Sequence, residues 1–154
     1  MRTGFVAVTL IFLLTLIVAA PAQEKRIKKS QLPPAVQKAV QDQSEGATVR
    51  GYSTEVDKGK REYEVQLKVN GHNKDVTMDK DGKVLEVEEQ VELSSLPAEV
   101  RDGLKDKAGK GTITQVESLT KEDKLVAYEA QVRKGTKRSE VQVGPDGKSL
   151  ATPQ

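Results

Sequence analysis

The sequence predicts an α+β protein made of two tandem repeats, each one short helix followed by a four-stranded antiparallel β-meander. Three observations predict it. The chain matches itself at a spacing of 64 to 65 residues, the apolar period within each copy changes from helical to strand-like, and turn-forming residues punctuate the strand half.

The self-match organises everything else. Ser30, Leu32, Pro33, Val36, Asp42, Thr48 and Lys60 recur 64 positions later as Ser94, Leu96, Pro97, Val100, Asp106, Thr112 and Lys124. After a one-residue insertion near Asp123, Tyr63, Glu64, Gln66, Val76, Asp81, Gly82, Lys83 and Leu85 match Tyr128, Glu129, Gln131, Val141, Asp146, Gly147, Lys148 and Leu150 at a spacing of 65. Unrelated chains would share about four identities over such an alignment. The first repeat spans 30–90 and the second 94–154, with Val91-Glu92-Leu93 between them.

Each copy opens with an amphipathic helix. Leu32, Val36, Ala39 and Val40, and again Leu96, Val100, Gly103 and Leu104, stand at i, i+4, i+7 and i+8, which places them on one face. Pro33 and Pro97 fall in the first turn, where a missing N–H leaves no bond unmade, and Ser30 and Ser94 are candidate caps just upstream.

The period then becomes two. Tyr63, Val65, Leu67 and Val69 alternate with Glu64, Gln66 and Lys68; Tyr128, Ala130 and Val132 alternate with Glu129, Gln131 and Arg133. Val76 with Met78, and Val141 with Val143, continue the pattern in the next strands. Asp57-Lys58-Gly59-Lys60, Asn70-Gly71, Asp79-Lys80-Asp81-Gly82 and Pro145-Asp146-Gly147 supply the turns. Val49 and Ile113 are out of phase with Tyr52 and Val116, so a bulge is expected in the first strand of each copy. Ser149 to Gln154 leave room for only a stub where the first copy has Lys83 to Val91. A unit of about 60 residues buries too little surface to be comfortably stable alone, so the copies either pair their sheets or share a core.

The residues before the repeats read as targeting. Met1-Arg2-Thr3 precedes an apolar run from Gly4 to Ala20, and Ala20-Pro21-Ala22 offers the small residues of a signal-peptidase site, so 1–22 reads as a signal peptide cleaved near Ala22. An uncleaved anchor is the alternative, because the run approaches the length of a membrane span. Residues 23–29, with Lys25, Arg26, Lys28 and Lys29, read as a basic N-terminal linker. The expected location is the periplasm or the exterior, with no stable membrane insertion after cleavage.

Composition removes several chemistries. There is no Cys, hence no disulfide, thiolate nucleophile or Cys-based zinc site, and the one histidine, His72, rules out a multi-histidine metal centre. Past the leader the aromatics are Tyr52, Tyr63 and Tyr128, too few for a base-stacking platform. The 25 basic and 23 acidic residues nearly balance at a net charge of +2, so no nucleic-acid partner is expected. No catalytic residue, metal ligand or cofactor is assigned, and the chain is expected not to be an enzyme.

Together these features identify a resemblance. The leader, the Leu-Pro-x-x-Val helix openings (Leu32 to Val36 and Leu96 to Val100), the Tyr-Glu strands (Tyr63-Glu64 and Tyr128-Glu129) and the Asp-Gly-Lys hairpins resemble the PepSY-like domains, also described as β-lactamase-inhibitor-like. The likeness covers Ser30 to Leu150. It implies a bacterial envelope or secreted protein with the helix-plus-four-strand fold of the β-lactamase inhibitor proteins. It also implies non-enzymatic binding, such as restraint of a protease or another hydrolase. Those inhibitors use aromatic-rich interfaces and disulfides, which this chain lacks, so the resemblance does not point to β-lactamase as the target.

Individual residues are weighed within that frame. Asp79 to Gly82 alternates carboxylates but lacks the twelfth-position Glu of a calcium loop, so it reads as a hairpin turn. His72 stands at a loop tip with no partner set by a shared motif. Tyr63 and Tyr128 are in phase with core positions, while Tyr52, whose counterpart is Val116, is the candidate partner-contacting aromatic. The run Glu86 to Glu92 is acidic at alternating positions and is expected on an exposed strand edge, with Lys105, Lys107 and Lys110 on the second helix and its exit. The expected function is an exported, non-enzymatic module that binds an unidentified exported or envelope protein, in its sharper form as a hydrolase inhibitor. The alternative is a structural or interaction module of the cell envelope acting through sheet edges.

Overall fold

A computed structural model describes residues 24–154, so the leader and its cleavage site lie outside the described residues. In chain order the elements are β1 (Lys25–Ile27), α1 (Pro34–Gln43), β2 (Thr48–Asp57), β3 (Lys60–Val69), β4 (His72–Met78), β5 (Val84–Gln90), α2 (Ala98–Ala108), β6 (Thr112–Lys121), β7 (Lys124–Lys134) and β8 (Lys137–Val143). The eight strands form one antiparallel sheet in sequence order, so the two repeats join edge to edge through β5 and β6. The α+β class and the helix-then-meander repeat are what the sequence predicts.

Strand alternation sends one set of side chains to the helices. Under α1, Val36 and Val40 pack with Leu32, Val65, Leu67, Val76 and Met78. Under α2, Val100 and Leu104 pack with Leu96, Val116, Ala130 and Val143. The repeats thus keep separate cores beneath one continuous sheet. Burying a Leu or Val side chain in such a core stabilises by about 1.5–3 kcal/mol, and neither small cluster has much to spare.

Both expected bulges are present. Arg50 is the extra residue between the Val49↔Leu67 and Gly51↔Gln66 pairs, and Thr114 is extra between Ile113↔Val132 and Gln115↔Gln131. The irregularity re-phases each first strand so that Tyr52 and Val116 face the helices.

Four expectations are corrected. The helices start at Pro34 and Ala98, with Pro33 and Pro97 at the cap positions, and no side chain bonds a helix N-terminus there. Ser30 and Ser94 lie in single 3-10 turns, Lys29–Gln31 and Leu93–Ser95. Proline disfavours helical backbone in the residue before it, and Leu32 and Leu96 are accordingly extended. Second, Lys25–Ile27, read as linker, forms β1 on β2, with Ile27 opposite Tyr52 and packed against the first core. Third, the acidic run is not on an edge: β5 lies mid-sheet between β4 and β6. Fourth, the second repeat has three strands rather than four, consistent with the stub, because residues 149–154 leave the sheet.

Candidate functional site

The helices cover one face of the sheet and leave the other open except where Gln154 bonds Gln142 and lines a hollow with Glu86 and Lys121, and strand register determines what that open face presents. Ser53, Glu64, Thr77, Glu86 and Lys121 are successive cross-strand neighbours from β2 to β6. Beside them runs Gln66, Asp75, Glu88, Leu119 and Ala127 from β3 to β7. A third row, Gln90, Glu117, Glu129 and Gln142, crosses β5 to β8. Three directly opposed pairs, Glu55↔Glu62, Asp75↔Glu88 and Glu117↔Glu129, are acid against acid. Such pairs oppose sheet formation, so the fold carries them at an energetic cost.

Amide side chains bind part of this charge. Gln66 Nε2 donates to Glu64 Oε1 at 2.9 Å, Gln115 Nε2 to Glu117 Oε1 at 2.6 Å, and Gln142 Nε2 to Glu129 Oε2 at 2.6 Å. Lys121 Nζ pairs with Glu86 Oε2 at 3.0 Å. Among the described residues Glu64, Asp75, Glu88, Glu117 and Glu129 have no cation within ion-pair distance.

Desolvation and crowding raise these acids together. Burial pushes Glu88 up to about 8, with Glu86, Glu117, Glu129 and Asp75 adding repulsion. Its opposite neighbour, Leu119, is buried and apolar, which helps explain why water solvates this carboxylate poorly. Burial moves Glu64 to about 7 and Asp75 to about 6; Asp75 and Glu24 add repulsion at the first, Glu117 and Glu24 at the second. The hydrogen bonds from Gln66 and Ser53 partly offset the rise at Glu64. Glu129 is raised as well, by burial first. Near neutral pH this face therefore holds carboxyls close to their titration points, able to donate a proton in a hydrogen bond or to accept a cation.

The singled-out residues fall elsewhere. Tyr52 is half-buried on the helix face against the first core, away from the open face. Tyr63 and Tyr128 pack against the two cores at matching positions. His72 begins β4, with Nε2 3.9 Å from Glu92 Oε1. Asp79 closes its turn by accepting from the N–H groups of Asp81 and Lys83 at 2.9 and 3.0 Å. Among the described residues, no group of three or more His, Cys, Asp or Glu side chains is placed to hold a metal ion. No described helix is long and apolar enough to cross a membrane.

Sequence reasoning did not assemble the open-face carboxylates into one surface. The alternation of Glu64 with Tyr63, or of Glu86 and Glu88 with Val87, marks them as outward-facing. Only the register across β4, β5, β6 and β7 brings them side by side.

Comparison with known proteins agrees with this fold. A family model described as "Putative beta-lactamase-inhibitor-like, PepSY-like" matches residues 20–86 and 69–148. No curated protein matches. Among solved structures, a BLIP-like protein from Bacteroides fragilis is similar at 20% identity and a TM-score of 0.57, covering 77% of this chain and 83% of its own. A protein from Bacteroides eggerthii described as periplasmic is similar at 20% identity and a TM-score of 0.63, covering 77% and 86%. A DUF2874 family protein from Bacteroides ovatus is similar at 18% identity and a TM-score of 0.61, covering 78% and 85%. At these identities the structures speak to the fold. With the family model spanning most of the sequence, this chain belongs to the PepSY-like, β-lactamase-inhibitor-like family.

Proposed function

We propose that this chain is an exported, non-enzymatic protein-binding module that receives its partner on the open face of the sheet. The observation that carries the reading is the row of half-buried, unpaired carboxylates flanked by glutamines. A partner bringing lysine, arginine or backbone N–H groups to that face relieves repulsion that the fold sustains alone. Restraint of a protease or another hydrolase is the sharper form of this reading, supported by family likeness. Export is supported by the Ala20-Pro21-Ala22 site and by a similar protein described as periplasmic. A mature N-terminus at Gln23, read by mass spectrometry, is the expected product.

The test is capture from native envelope extract. The wild-type chain and a folded Glu88→Gln/Glu117→Gln/Glu129→Gln variant serve as bait, and retained proteins are identified by mass spectrometry. A protein held by the wild type and released by the variant supports the reading. Identical retention by both, or none by either, sinks it. Any captured hydrolase is then assayed with and without the chain.

A further inference from the structure

The free edge of β8 is the place where the two repeats differ most. In the first copy, β4 is covered by β5, with Asp75 opposite Glu88, Val76 opposite Val87, Thr77 opposite Glu86 and Met78 opposite Val84. The equivalent strand of the second copy, β8, ends the sheet. At the 65-residue spacing, Ser149 to Pro153 stand where Val84 to Glu88 stand. They are present but leave the sheet: none is in a strand, and the Gln154 N–H donates to Gln142 Oε1 at 2.9 Å.

The edge is chemically ready for a strand. Lys134 and Lys137 flank the two-residue turn of the β7–β8 hairpin, so Ser139, Val141 and Val143 direct their backbone groups to β7. Arg138, Glu140 and Gln142 are left pointing outward. In β4 the same phase holds: the Asn73 N–H leaves that strand toward β5 and is accepted by Gln90 Oε1 at 3.1 Å. A groove of about 530 Å³ lies along the β8 edge, lined by Lys107 from α2, by Glu129 and Glu140, by Val141 and Gln142, and by Leu150 and Pro153; its two carboxylates confine the acidic positions of an incoming strand to the hairpin end of the edge.

Charge says what kind of strand fits. Arg133 stands opposite Arg138 and Lys134 opposite Lys137, all four exposed, and among the described residues none pairs with a carboxylate. Like charges in register destabilise the hairpin they sit on, and an acidic neighbour offsets this.

We propose that the edge of β8 binds an acidic, extended segment of a partner protein as a ninth antiparallel strand, in the register that β5 takes on β4. The segment places small branched apolar residues over Val141 and Val143, beneath α2. It places carboxylates at the positions of Glu89 and Gln90, next to Ser139 and Arg138. Main-chain bonds supply the affinity and the apolar and acidic positions supply selectivity. The inference shares with the open-face reading only the premise that the chain binds polypeptide, and it uses a different surface.

The test uses the β5 sequence itself, a synthetic peptide of residues 83–92, titrated into the mature chain and followed by amide NMR and hydrogen exchange. Saturable shifts and slowed exchange are expected at Arg138, Glu140 and Gln142. N-methylation of the peptide at the positions of Glu86 and Glu88, whose amides face the bound edge, is expected to weaken binding by about tenfold or more. N-methylation at Val87 and Glu89 leaves it nearly unchanged. Glu140→Pro removes one outward N–H at an edge position that tolerates proline, and it lowers affinity to a similar degree. The proposal is overturned if the peptide fails to bind at millimolar concentration, if both methylated peptides bind alike, or if the shifts fall on the open face. It is also overturned if the chain alone is a dimer with these amides already protected, because a second copy then covers the edge. Glu88→Gln leaves edge binding intact, so the two surfaces fail or succeed separately.

Discussion

Replacing Glu88 by glutamine removes the most strongly raised carboxyl of the open face while keeping its size and a polar tip. In the folded chain this group titrates at about 8, against an ordinary value of 4.5, and burial is the main cause. A raised acid favours the folded state while protonated. Its contribution is complete below pH 4.5 and is lost as pH rises through about 8. Moving a carboxyl from 4.5 to about 8 sets a ceiling near 5 kcal/mol. Part of the side chain reaches water and four other acids share the effect, so about 2 kcal/mol is the working figure. Wild-type stability, from urea denaturation at intervals between pH 5 and 9, is therefore expected to fall as pH rises. Glu88→Gln is expected to match the wild type near pH 5 and exceed it by about 2 kcal/mol near pH 9, or roughly 8 °C in Tm. A wild-type stability that rises over this range, or a glutamine variant less stable at pH 9, would refute the argument that burial and crowding act at this position.

Other substitutions probe the remaining parts of the fold. Leu104→Ala empties a fully buried position of the second core and should cost about 2–5 kcal/mol by chemical denaturation. Gly147 has φ +77°, and a Cβ there would collide with the Glu99 carbonyl of α2. Gly147→Ala should therefore cost clearly more than Gly135→Ala, whose φ is +62° but whose surroundings are open; Tm values of the pair check this. Lys121→Met removes the cation paired with half-buried Glu86 and should cost about 1 kcal/mol at pH 8, read by urea midpoint.

Local features of the fold were legible because their causes are local. The apolar face of α1 follows from the spacing of Leu32, Val36 and Val40, and the bulges at Arg50 and Thr114 follow from a phase slip between neighbouring apolar residues. The helix starts were misplaced because Ser30 looks like a cap, whereas Pro33 holds Leu32 extended and delays the first turn. Lys25–Ile27 read as linker because its charge dominates the segment. What draws it into the sheet is Ile27 meeting Tyr52, a contact between residues 25 positions apart.

The candidate site was legible only in halves. That Glu64, Glu86, Glu88 and Glu129 face away from the helices is written in alternation. Which carboxylate opposes which is set within each copy by the β4·β5 and β6·β7 registers, but bringing the two acidic sets onto one surface depends on the β5·β6 pairing, and that depends on how the two copies meet. The same dependence moved the acidic run from an expected edge to the middle of the sheet.

By itself the sequence determined the repeat, the helix-then-meander order, the inward set of each strand and the absence of cysteine and multi-histidine chemistry. These are properties of residue type and short spacing. Tertiary structure alone decided that the copies fuse into one sheet, that their carboxylates converge on its open face, and that β8 ends the sheet with no strand paired on its outer side. Register and edge exposure arise from pairing between distant segments, and burial, which sets the acidity of Glu88, exists only once those segments have met.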